Sequence, residues 1–119
     1  MEPPDPVDIV LHCFDPQGRE IVDQLGRWEN HIETRHPDVD EHFESVQAAL
    51  ERPEIIMIDA VHAERRNYYR RGALPPPYHP FYLKVCVGFY PSGLPGILAE
   101  VITAHQATNI GSGETQEWP

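Results

Sequence analysis

The spacing of apolar residues changes at Pro53. Before it, Val39, Phe43, Val46 and Leu50 recur every three or four positions with acidic residues between them, the stripe of a helix that buries one face. Pro37 at the first helical position and Asp38, Asp40 and Glu41 in the first turn suit the positive end of a helix, so this helix is expected from Pro37 to the exit at Pro53, with His42 facing solvent. A shorter helix, Arg27 to Arg35, is expected before it, with Trp28 and Ile32 on its core side; it ends there because Pro37 disfavours helical geometry at His36. Ahead of both, Asp8 to Phe14 is apolar and β-prone, Asp15-Pro16-Gln17-Gly18 places Pro and Gly at type I turn positions, and Arg19 to Val22 resumes, which predicts a hairpin.

Beyond Pro53 the pattern is that of strands. Glu54 to Val61 reads as a buried strand and Arg65 to Arg71 as its half-exposed antiparallel partner. The proline-rich Ala73 to Pro80 is a loop. Phe81 to Tyr90 alternates, with Phe81, Leu83, Val85, Val87 and Phe89 on one side and Tyr82, Lys84, Cys86, Gly88 and Tyr90 on the other. After a turn at Pro91 to Gly96, Ile97 to His105 returns as the last strand, with Thr103 and His105 sharing a face. The tail from Gln106 lacks periodicity and is expected to be disordered in part. The fold class that follows is α+β: an N-terminal hairpin and two helices packed on a four-stranded antiparallel sheet.

A chain of 119 residues suits a single domain, 1–119, with a core over 7–105 and a tail over 106–119. No run approaches the roughly 18 apolar residues of a membrane span, and the acidic, proline-rich start lacks the features of a signal peptide, so a cytoplasmic protein is expected. Cys13 and Cys86 form no CxxC motif and read as reduced, buried thiols. The net charge of −10 argues against general attraction to nucleic acid, but it is unevenly spread. Residues 1–64 hold 16 acidic residues against 4 arginines, whereas residues 65–119 hold 3 glutamates against 5 basic residues, among them Arg65, Arg66, Arg70 and Arg71.

Histidines and carboxylates are plentiful near His31, Glu33, His36, Asp38 and Asp40, but their spacing matches no metal-ligand motif, so no metal and no cofactor are expected. There is no glycine-rich phosphate loop, and neither cysteine has an adjacent histidine. The residue types present suit metal-independent RNA cleavage: a base removes the 2′-hydroxyl proton, an acid protonates the leaving oxygen, and a cation stabilises the phosphorane. His31, Arg35 and His36, with the basic strand Arg65 to Arg71, supply these. A purely structural account stays open at this point: His31 as a hydrogen-bonding residue of the core, Arg35 paired with Glu33 or Asp38, and the basic strand as a solvated face.

His31-Ile32-Glu33-Thr34-Arg35-His36-Pro37-Asp38, then Leu50-Glu51-Arg52-Pro53-Glu54-Ile55-Ile56, Asn67-Tyr68-Tyr69-Arg70, Tyr82-Leu83-Lys84-Val85-Cys86-Val87 and Val101-Ile102-Thr103-Ala104, resemble the phage-type members of the barnase, EndoU, colicin and RelE-like nuclease superfamily. The resemblance spans roughly residues 25–105. It implies a small metal-independent endoribonuclease of toxin type, with RNA (tRNA included) as substrate and an antitoxin or immunity protein as partner. By the same resemblance His31 is the general acid or base, with Arg35 and His36 beside it. Arg70 and Lys84 contact phosphate, Thr103 orients substrate, and Tyr69 and Tyr82 stack bases. His105 stands where such proteins often carry an aromatic residue and adds a second proton-transfer group on the substrate side. The alternative is a non-catalytic protein of the same fold that binds a partner or ligand, its acidic half suited to a basic partner.

Overall fold

The computed structural model describes residues 9–24, 43–72, 81–89 and 99–119. Within them the chain forms β1 (Ile9–Phe14), β2 (Glu20–Gln24), α1 (Phe43–Glu51), β3 (Ile55–Ile58), β4 (Arg65–Arg71), β5 (Tyr82–Gly88), β6 (Ala99–Ala107) and β7 (Thr115–Trp118). All the strands belong to one seven-stranded sheet in the order β1-β2-β6-β5-β4-β3-β7.

The hairpin signal in the sequence is realised locally. Asp15 and Gly18 close the turn through Gly18 N–H to the Asp15 carbonyl at 2.9 Å, and Gly18 takes a φ of +83°, which only glycine adopts readily. β1 and β2 pair antiparallel through this turn. The antiparallel run β3-β4-β5-β6 is also as expected, and β4 has the expected bounds.

The fold class differs from the expected α+β arrangement of two helices on a four-stranded antiparallel sheet. The described residues hold a seven-stranded mixed sheet and one helix of nine residues. Two pairings account for the difference. β2 adds to β6 in parallel, Ile21 beside Ala99 and Val22 beside Glu100, so the hairpin extends the main sheet. Thr115–Trp118, inside the tail expected to be disordered, is a strand that pairs antiparallel with β3. Neither pairing leaves a mark on local periodicity, because each joins segments far apart in the chain. The expected helix Arg27–Arg35, the first turn of the second helix, His42 and the loop at Ala73 to Pro80 lie outside the described residues.

α1 lies against β1, β4 and β5. Its Val46, Ala49 and Leu50 join Leu11, Cys13, Ile21, Ile56, Tyr68, Leu83, Val85, Val87 and Val101 in one core, with Phe89 and Trp118 packed at its margin. The sheet therefore has a helix side and a far side. Among the described residues no helix is long and apolar enough to cross a membrane.

Candidate functional site

Strand register decides which side chains meet, because residues paired across a ladder share a face. Tyr69 pairs with Lys84, and Lys84 pairs with His105, so these three form one row across β4, β5 and β6. The row on one side is Asn67, Cys86 and Thr103, and that on the other is Arg71, Tyr82 and Ala107. Tyr69, Tyr82, Lys84, Thr103 and His105 are thus brought together on the far side of the sheet. Arg70 is not among them. It pairs with core residue Leu83 on the helix side, and its Nη1 donates to the Arg52 carbonyl just after α1 at 2.6 Å. His31, Arg35 and His36 lie outside the described residues.

The centre of the row is a compact polar cluster. The Tyr69 hydroxyl donates to the Glu114 carboxylate, whose oxygens both lie 2.8 Å away, and accepts from Gly111 N–H at 3.1 Å. Lys84 Nζ donates to Glu114 Oε2 at 3.3 Å and stands 5.6 Å from the centre of the Tyr69 ring. The Tyr82 ring meets Tyr69 edge-on at 5.7 Å, and the Arg71 guanidinium lies over the Tyr82 ring, 5.1 Å from its centre. The Tyr69 side chain is fully buried, so neither its ring face nor its hydroxyl is open to solvent. Burial opposes the charge on Lys84, but the Tyr69 hydroxyl and the Glu114 carboxylate outweigh it and hold the ammonium above the ordinary lysine value. Burial, with the hydrogen bond to Glu114, holds the Tyr69 hydroxyl above the usual tyrosine range, so it is a proton donor at neutral pH.

A second cluster occupies the helix side. Asp15 Oδ1 accepts from the backbone N–H groups of Gln17 and Arg19, both at 2.9 Å, and its Oδ2 accepts from Tyr68 Oη at 2.6 Å and Arg19 Nε at 2.7 Å. Arg19 Nη1 continues to Glu117 Oε1 at 2.7 Å, and Arg66 Nε pairs with the other oxygen of Glu117. The guanidinium of Arg19 also covers the Phe89 ring at 4.7 Å. The hairpin turn, β4 and β7 are joined here, so segments from opposite edges of the sheet order are tied to one another.

The residues that periodicity did not single out are Glu114, Gly111 and Glu117 of the tail and Asp15, Arg19 and Tyr68 of the second cluster. The Gly111-Ser112-Gly113 turn followed by Thr115 to Trp118 was the available signal for the first group. No group of three or more potential ligands that would hold a metal ion occurs among the described residues. Neither cysteine is suited to nucleophilic chemistry: burial pushes the Cys13 thiol up to about 12 and the Cys86 thiol up to about 11. No protein-family model matches this chain, and no curated protein or solved structure matches it.

Proposed function

We propose that this protein is a metal-independent endoribonuclease whose substrate lies over the far side of the sheet. The observation that carries the reading is the row Tyr69–Lys84–His105 with Thr103 and Tyr82 on adjacent rows of the same face. A cation, a hydroxyl donor and an imidazole are thereby held side by side on rigid strands, where positions are better fixed than on loops. In this reading the 2′-hydroxyl attacks the adjacent phosphorus, a histidine takes its proton, and a second proton-transfer group protonates the departing 5′-oxygen. The products are a 2′,3′-cyclic phosphate and a free 5′-hydroxyl. Lys84 and the Tyr69 hydroxyl face the charge that builds on the phosphorane, His105 and His31 are the proton-transfer pair, and Thr103 orients the ribose or phosphate. Arg70, on the opposite side, has no part in it.

The test is incubation of the purified protein with tRNA and with total RNA in EDTA. Cleavage leaving cyclic phosphate ends, reduced in His31→Ala and in Lys84→Met, is expected; no cleavage, or equal cleavage by both variants, overturns the reading. A second reading, a non-catalytic protein that binds a basic partner, is favoured by one observation: Lys84, Arg19 and Arg66 are each already paired with a carboxylate of this chain. Absence of RNA binding at low salt, together with co-purification of a basic protein, would decide for it.

A further inference from the structure

Glu114 reaches Lys84 and Tyr69 from a turn at Gly111 to Gly113. Glu114 N–H approaches the Gly111 carbonyl at 3.4 Å, and Gly113 has a φ of +82°, strained for any residue with a side chain. A Cβ on Gly111 would collide with the Glu114 carboxylate. That carboxylate is only 4% exposed, more deeply set than the 20% exposed Lys84 that it faces. Further along, Glu117 is gripped by Arg19 and Arg66, so β7 has an anchor that does not depend on where Glu114 sits.

The chemistry of the partners is not particular to a carboxylate. A lysine ammonium is a compact point charge with three rotatable donors, and a tyrosine hydroxyl is a single donor; both donate to a phosphate oxygen as they donate to a carboxylate oxygen. A phosphodiester and a carboxylate each carry one negative charge on two equivalent oxygens. From this we infer that Glu114 is an internal stand-in for a substrate phosphodiester: its carboxylate fills the anion position made by Lys84 Nζ and Tyr69 Oη, and an RNA phosphate binds by displacing it as the Gly111–Gly113 turn swings away. The inference rests on the ribonuclease reading of the same face and adds to it a built-in competitor. Because the site is open to RNA only in the fraction of molecules with Glu114 unseated, apparent affinity is lowered by that fraction.

The experiment is fluorescence anisotropy with a labelled 2′-O-methyl oligoribonucleotide, which keeps the phosphates and lacks the attacking hydroxyl, against the full chain, Glu114→Gln, Gly111→Ala and the double variant Glu114→Gln/Lys84→Met. Gly111→Ala expels the carboxylate by its methyl group while leaving the charge on the chain. Both single variants should bind roughly tenfold more tightly than wild type, about what one charge-assisted hydrogen bond contributes, and the double variant should lose the gain. In the wild-type protein, saturation with the oligonucleotide should speed amide hydrogen exchange at 111–114 and leave 115–118 unchanged, a readout that needs no variant to fold. Unaltered affinity in both single variants, or unaltered exchange in wild type that does bind, overturns the displacement and leaves the ribonuclease reading standing. No binding by any of the proteins removes both.

Discussion

Tyr68 and Tyr69 are neighbours in β4, and each gives its hydroxyl hydrogen to a carboxylate, yet the two clusters they serve are built differently. On the helix side, Asp15 has every partner within 2.9 Å, its side chain is fully buried, and the cation is a planar arginine held by two carboxylates. On the far side, Glu114 is borne on a glycine turn, and the cation is a flexible lysine at 3.3 Å. The first arrangement fixes three segments in one geometry. The second holds an anion where another anion can take its place. Two adjacent residues of one type thus belong to a structural clamp and a candidate ligand site, and what separates them is the chain segment that supplies the carboxylate.

The sharpest way to break this contrast is to remove each carboxylate. Asp15→Ala strands a buried tyrosine hydroxyl and part of a guanidinium, and should cost about 3 kcal/mol or more in urea unfolding, as breaking a buried pair commonly does. Glu114→Ala should cost less, about 1–2 kcal/mol, since it strands only the Tyr69 hydroxyl hydrogen and leaves Lys84, which is partly exposed, to water. Equal losses would erase the distinction. The next effect is catalytic: Lys84→Met should lower RNA cleavage by a factor on the order of 100, the usual scale for removing one group that stabilises transition-state charge, while Arg66→Met should leave cleavage rates unchanged at temperatures where it is folded.

Part of this contrast was legible in the sequence. Tyr82 and Lys84 on one side of β5, and Thr103 and His105 on one side of β6, follow from alternation, and the bounds of β4 are those expected from RRNYYRR. Alternation also says that Tyr68 and Tyr69 face opposite ways, but not which of them joins the core. That depends on register with β3 and β5, where Tyr68 meets Ile56 and Val85. The tail was opaque for a physical reason: Thr115, Gln116 and Glu117 are polar residues of a short edge strand, whose stability comes from pairing with β3 and from the Arg19 and Arg66 contacts, none of them local. The parallel junction of β2 with β6 was invisible for the same reason.

Two smaller effects sharpen the comparison. Burial raises the Asp15 carboxyl, but the bonds from Tyr68 and Arg19 outweigh it and hold it below the ordinary aspartate value. Its contribution to stability is therefore complete above the unfolded value of about 3.9 and is lost as pH falls through the lower folded value. Asp59, which closes the β3–β4 turn by accepting from Val61 and His62 N–H and from the Asn67 amide, is lowered to about 2 against the opposing effect of burial and acts in the same direction. Lys84, raised, contributes below the unfolded lysine value of about 10.4 and ceases to as pH rises through its folded value. Thermal unfolding across pH should accordingly show an acid limb that flattens in Asp15→Asn and an alkaline limb that flattens in Lys84→Met. The smallest effect is thiol labelling at pH 8, where both cysteines should be slow. Cys86, one row from Lys84, should gain reactivity in Gly111→Ala, whereas Cys13 on the core side should react only on global unfolding.

The placement of β7 beyond β3 has a consequence for the chain during synthesis. Ile55 to Ile58 is a four-residue apolar strand that lacks its second neighbour until Thr115 to Trp118 has been made. Throughout that interval the strand presents an unpaired row of backbone donors and acceptors on a segment without a charge, the kind of edge that recruits other chains. The acidic turn and strand that cover this edge, with Glu114 and Glu117, therefore also protect it against aggregation, and the nascent protein is more vulnerable before they emerge.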